Sequence, residues 1–82
     1  MHYQLRKPVT TIGRDPRSDI PLPGDTQVSK VHAEIRREGV YFVIYDLNST
    51  NGTFVNGQRV SRQVLKEADE IRVGRTRLVF QR

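Results

Sequence analysis

Turn-forming residues interrupt this chain at intervals mostly under about a dozen residues, and the stretches between them carry apolar residues at every second position. That combination limits the fold more than any other feature of the sequence. The stretches "VTTIG", "VHAEIRRE", "VYFVIYDL", "GTFV", "EIRVG" and "RLVFQ" are short and rich in β-branched or aromatic residues, as strands are. In "HAEIRR" the alternation places Ala33 and Ile35 on one face and Glu34 and Arg36 on the other, giving a sheet with one dry and one wet side. "VYFVIYDL" is almost continuously apolar from Val40 to Tyr45, which suits a central strand. The breakers are Pro8, "DPRSD", "PLPGD", "REG", two Asn-Gly pairs and Gly74. Between them there is no room for crossover helices, so the expected class is all-β, an antiparallel β-sandwich. Only "SRQVLKEADE" could hold a helical turn.

Eighty-two residues suffice for one domain, here taken as 1–82, and are too few for two. The chain has no cysteine and two histidines, so it offers neither a disulfide framework nor a ligand set for zinc, and no metal or cofactor is expected. The N-terminus lacks an apolar signal core and no apolar run approaches membrane-spanning length, which leads to the expectation of a soluble, cytoplasmic domain with no membrane partner, acting as a monomer. The net charge of +5 invites comparison with nucleic-acid binders. Its 14 basic residues, however, are spread from Arg6 to Arg82 and interleaved with acids in "RDPRSD", "EIRRE" and "KEADE". The distribution fits a solvated surface, or a preference for phosphate groups on protein or nucleic acid.

"DLNSTNGTFVNG", Asp46 to Gly57, contains both Asn-Gly pairs. Asn56-Gly57 lies between "TFV" and "QRV" and has the form of a two-residue hairpin turn. Asn51-Gly52 follows the polar "DLNST" and lies in a loop instead. A loop with Asn48, Ser49, Thr50 and Asn51 can satisfy itself through Asx and Ser/Thr turns, or present its donors to a ligand. Two other segments carry matching chemistry. Arg14 follows Gly13 at the end of an apolar strand, with a permanent charge and five donors, and Ser29 and Lys30 add a hydroxyl and an ammonium just before another strand. All three loops suit the enclosure of a tetrahedral dianion.

"GR", "SKVH" and "STNGTFVNG", in that order and spacing, resemble the forkhead-associated (FHA) domain family over nearly the whole chain. The resemblance implies a β-sandwich of about eleven short strands with binding loops at one end, and phosphothreonine-dependent reading of peptides in kinase signalling. It implies that Arg14 contacts phosphate oxygens, that the Ser29 hydroxyl binds another, that Lys30 adds charge, that Thr50 completes the cradle and that the Asn51 amide holds the peptide backbone. His32 is similar to the family's bracing histidine, and Gly13 and Gly52 would permit tight backbone beside Arg14 and Asn51. The implied partner is a threonine-phosphorylated protein, a Ser/Thr kinase or its substrate, and the chain would be one module of a longer protein. Gln27, two before Ser29, is the candidate for peptide selectivity, and as a neutral amide it predicts no strong demand for an acid. One departure is visible: the family commonly has Gly-Asp before its late strand, where this chain has Ala68-Asp69.

Each residue also has a plainer reading. Arg14 could pair with Asp15 or Asp19, Ser29 could cap a turn, Lys30 could be solvated, and Thr50 could serve the loop alone. No enzyme is expected: Ser29, His32 and Asp46 supply triad residue types without a nucleophile elbow or oxyanion motif, and no P-loop occurs. Three Tyr and three Phe, several in apolar strand positions, leave few platforms for stacking bases, which makes nucleic acid the weaker alternative. A phospho-independent scaffold on the same fold has no chemical need for Arg14, Ser29 and Thr50 together.

Overall fold

The computed structural model describes residues 3–82. The elements are β1 (Val9–Gly13), β2 (Ile20–Pro21), β3 (Ala33–Glu38), β4 (Tyr41–Asp46), β5 (Thr53–Val55), β6 (Gln58–Val60), β7 (Arg62–Val64), β8 (Glu70–Val73) and β9 (Thr76–Val79), and no helix occurs among the described residues. They form two sheets, one of five strands in the order β2-β1-β3-β4-β7 and one of four in the order β6-β5-β8-β9. All neighbours are antiparallel except β1 and β2, which run parallel through Ile12↔Ile20 and Gly13↔Pro21.

The period of two in the sequence becomes the division between core and surface. In β3, Ala33 and Ile35 are buried while Glu34 and Arg36 face outward, the latter with its guanidinium 4.1 Å from the Tyr45 ring centroid. In β8, Ile71 and Val73 are buried between the sheets. Ile12, Ala33, Ile44 and Val73 meet there with no accessible surface, and Phe42 packs on Phe80 with ring centroids 5.5 Å apart. The apolar β4 is interior to its sheet, as its composition predicts.

Nine strands are present among the described residues where about eleven are expected from the resemblance. The long connection from Leu22 to His32 explains part of the difference, because it is held by isolated backbone bonds and by side chains, without a regular ladder. The Asp25 carboxylate accepts from the Gln27 and Arg75 N–H groups and from the Thr76 hydroxyl, tying this connection to the β8–β9 turn. "SRQVLKEADE" contains β7 followed by a turn, not a helical turn.

Asn56 (φ +50°) and Gly57 (φ +83°) both take the left-handed backbone that a type I′ turn requires, so this pair is the β5–β6 hairpin turn. Ala68 has φ +71°. The position where the family commonly has glycine is therefore one whose backbone glycine suits and alanine resists.

The connections after β1, β2, β4 and β8 gather at one end of the sandwich. The Thr53 hydroxyl at the start of β5 donates to the Asp46 carboxylate at the end of β4 (2.7 Å), which joins the two sheets at that end.

Candidate phosphate-binding loops

Gly13 closes β1 against the backbone of the next loop. A Cβ there would lie 2.3 Å from the Lys30 carbonyl oxygen, so only glycine allows this approach. The approach lets two backbone bonds form across the gap: Arg14 N–H to the Ser29 carbonyl (3.1 Å) and Asp15 N–H to the Lys30 carbonyl (3.2 Å). Arg14, Ser29 and Lys30 are thereby fixed side by side.

Arg14 is exposed, and its Nε donates to the Val28 carbonyl (3.1 Å). This anchor orients the guanidinium and leaves both terminal nitrogens available. The nearby acids are engaged elsewhere. Asp15 binds Arg17 at 2.9 Å, which draws its carboxyl down to about 2, and Asp19 binds Lys7 at 2.6 Å and the Thr11 N–H and hydroxyl. Arg14 makes no ion pair among the described residues.

Ser29 joins this group to the Asn-Gly loop. Its hydroxyl oxygen accepts the Thr50 N–H (3.0 Å), so its own proton remains to donate outward. Thr50 has spent its backbone donor on Ser29, and its exposed hydroxyl has no partner among the described residues. The Lys30 side chain is exposed and makes no ion pair among the described residues. The Asn51 amide donates to the Gln27 carbonyl (2.8 Å) and keeps one N–H and its oxygen for a ligand. Gln27 thus bears on the site through its backbone carbonyl, and the residue is exposed.

His32 is fully buried beneath these loops. Its Nδ1 accepts the Ser29 N–H (2.9 Å), and its Nε2 lies 2.8 Å from the Gly52 carbonyl. A backbone N–H can only donate and a carbonyl only accept, so the ring is the neutral tautomer with its proton on Nε2. Both nitrogens are committed to backbone. None remains to take a proton from Ser29, and the triad geometry is absent.

Asp46 and Ser49 contribute a brace that the motif reading missed. Asp46 accepts the Ser49 and Thr53 hydroxyls and the Ser49 N–H, and Ser49 in turn accepts the Gly52 N–H (3.0 Å). Burial pushes the Asp46 carboxyl up, yet the hydrogen bonds from Ser49 and Thr53 outweigh it and hold the group below the usual carboxylate value. The sequence signal was an aspartate at a strand end three residues before a serine. Gly52 takes φ +90° next to Asn51, and the Arg59 side chain occupies the space a Cβ would need, 2.7 Å from its Nε. Arg59 comes from β6, and no motif marked it.

Comparison with known proteins bears on the family and the fold. Residues 10–74 match the model of the FHA domain. The chain is 46% identical over 78 residues to an oxoglutarate dehydrogenase inhibitor of Corynebacterium diphtheriae, covering 95% of this chain and 54% of that protein. It spans about half the length of the curated relatives it matches. A solved structure described as a structural and functional analysis of phosphothreonine-dependent FHA domain interactions superposes with a TM-score of 0.91 at 42% identity, covering 98% of this chain and 82% of that one. Mycobacterium tuberculosis EmbR in complex with a low-affinity phosphopeptide superposes with a TM-score of 0.89 at 38% identity, covering 94% of this chain and 20% of that one.

Proposed function

This chain belongs to the FHA domain family, and on that premise we propose that it is a phosphothreonine-dependent interaction module that reads threonine-phosphorylated proteins in kinase signalling. The observation that carries the proposal is the state of Arg14: anchored through Nε, without an ion pair among the described residues, and bonded through its backbone to Ser29, whose hydroxyl in turn holds the Thr50 N–H. Arg14 and Lys30 supply charge to the phosphate, Ser29 and Thr50 supply short neutral donors, and Asn51 holds the peptide backbone. His32, Gly13 and Gly52 keep these groups in place. The module acts by binding a threonine-phosphorylated partner, a Ser/Thr kinase or its substrate, as one part of a longer protein.

A phosphate brings about −1.5 to −2 charges and three acceptor oxygens. Each hydrogen bond to a charged group contributes about 1.5–3 kcal/mol, so losing two or three with the phosphate costs on the order of 4 kcal/mol, roughly a thousandfold in affinity. Binding therefore behaves as a switch. Preference for phosphothreonine over phosphoserine draws on about 0.8 kcal/mol from one buried methyl and on the stiffer χ1 of a β-branched residue.

Fluorescence anisotropy with matched phosphothreonine, phosphoserine and unmodified peptide libraries tests this reading. Phosphothreonine peptides are expected to bind most tightly, and Arg14→Ala to remove that advantage. Equal binding of modified and unmodified libraries, or an unchanged Arg14→Ala protein, would overturn it.

A further inference from the structure

The outer face of the four-stranded sheet carries a row of arginines that starts at the binding loops. Arg59 on β6 is paired with Phe54 on β5, Phe54 with Arg72 on β8, and Arg72 with Arg77 on β9. Residues directly opposite one another share a face. Val55, Ile71 and Val73, the neighbours in sequence, are buried on the inner face, so this row looks outward. The Arg72 guanidinium lies 4.2 Å from the Phe54 ring centroid and is held there by cation–π attraction. Arg77 reaches Glu70 only loosely, at 3.9 Å. Arg59 and Arg72 have no carboxylate within ion-pair distance among the described residues.

The row is continuous with the candidate phosphate site, because the Arg59 side chain leans across Gly52, the residue after Asn51. Four strands at about 4.8 Å spacing make the row about 14 Å long, which matches about four residues of extended peptide.

We propose that Arg59, Phe54 and Arg72 form a second subsite that binds Asp or Glu side chains of the same phosphorylated ligand, in a segment flanking its phosphothreonine. This rests on the phosphothreonine reading above and adds to it the kind of sequence the domain selects. The charge of the row requires an anionic occupant, and its continuity with the Asn51 loop makes that occupant part of the peptide held there. Nucleic acid fits less well, since the row has one aromatic ring, Phe54, and its face is covered by Arg72. Acid recognition is thereby placed on β6, β5 and β8 and not at Gln27, whose neutral amide can donate a hydrogen bond but supplies no charge for an ion pair.

The test is anisotropy on the 82-residue chain with three probes. They are a peptide with uncharged flanks used with and without phosphate on its threonine, matched phosphothreonine peptides with three acids within about four residues on either side, and a single-stranded oligonucleotide. The readout is the ratio of acidic-flank to neutral-flank affinity within each protein, which differences in folding do not move. In the wild type, acids on one side should raise affinity about three- to tenfold, as two exposed ion pairs allow. In R59Q/R72Q the ratio should fall to about one. No gain in the wild type, or the same gain in the double variant, overturns the proposal. So does an oligonucleotide that needs Arg59 and Arg72 while acidic flanks have no effect. If the neutral-flank peptide binds no better with its phosphate than without, the phosphothreonine reading fails, whereas an acidic gain that still needs both arginines supports the subsite.

Discussion

The His32 ring accepts from the Ser29 N–H and donates to the Gly52 carbonyl, so truncating it strands two buried backbone groups and opens a void between the loops that present Ser29 and Thr50. Each unsatisfied group costs about 1–3 kcal/mol. His32→Ala is expected to lose about 3 kcal/mol or more in urea unfolding, a large part of the stability of so small a domain. Phosphopeptide affinity should fall with it, by about tenfold, because the ligand must then reorder the loops. An unchanged urea midpoint would show that neither the hydrogen bonds nor the packing of the ring stabilises the fold. Residues of this kind differ in how far sequence discloses them. Arg14, Ser29 and Thr50 could be singled out as candidates because their groups suit a phosphate and because the order and spacing of "GR", "SKVH" and "STNGTFVNG" resemble the FHA family. That Asp15 and Asp19 pair with Arg17 and Lys7 and leave Arg14 unpaired depends on side-chain geometry that no spacing encodes. Arg59 was hidden for a related reason, since its place over Gly52 follows from the cross-strand register of β5 and β6.

Strands with clear alternation were readable almost to the residue: β1 and β6 match "VTTIG" and "QRV", and β3, β4, β5 and β8 lie within the predicted stretches. β2 was not, being two residues, one of them a proline, whose pairing with β1 is parallel. β7 was missed because it is an edge strand with all three residues exposed, so burial imprints no period on it. The turn before β8 shows how local chemistry can strain an element that tertiary contacts still hold. Ala68 keeps φ +71° because its N–H donates to the Phe80 carbonyl (2.8 Å), while Asp69 accepts from the Lys66 N–H (2.8 Å) and the Asn56 amide (2.9 Å). An L-residue pays about 1–2 kcal/mol for this backbone, and glycine gives back about 0.5–1 kcal/mol through its freer unfolded state. Ala68→Gly is therefore expected to stabilise the domain by about 0.5–1 kcal/mol, without altering phosphopeptide affinity, since the turn lies at the other end of the sandwich. Thermal unfolding by circular dichroism checks the sign, and a lowered midpoint would mean that the alanine methyl makes packing contacts worth more than the strain.

At the scale of the whole molecule, ligand and fold should respond to acid in different pH ranges. The second ionisation of a phosphothreonine lies near pH 6, so between about pH 7 and 5 the ligand loses up to one negative charge and affinity should decline. The domain itself is held by carboxylates that titrate lower. Lys7 and the Thr11 N–H pull Asp19 down; in Asp25 and Asp46 burial pushes up, but donors from Thr76 and Arg75, and from Ser49 and Thr53, prevail. A carboxyl whose folded pKa is depressed stabilises the fold above its unfolded value, here 3.8, and that stability disappears as pH falls through the folded value. The stability these three carboxylates supply should accordingly be nearly level from about pH 7 to 5 and drop below about pH 4, where protonation also raises a net charge that is already +5. These three carboxylates brace the β1–β2 connection, the long loop from Leu22 to His32 and the Asn51 loop, so acid unfolding should begin at the binding end. Peptide titrations at pH 7, 6 and 5 beside urea midpoints at pH 7, 5 and 3 separate the two effects. If affinity and stability fell together near pH 6, the loss of binding would belong to the domain and not to the phosphate.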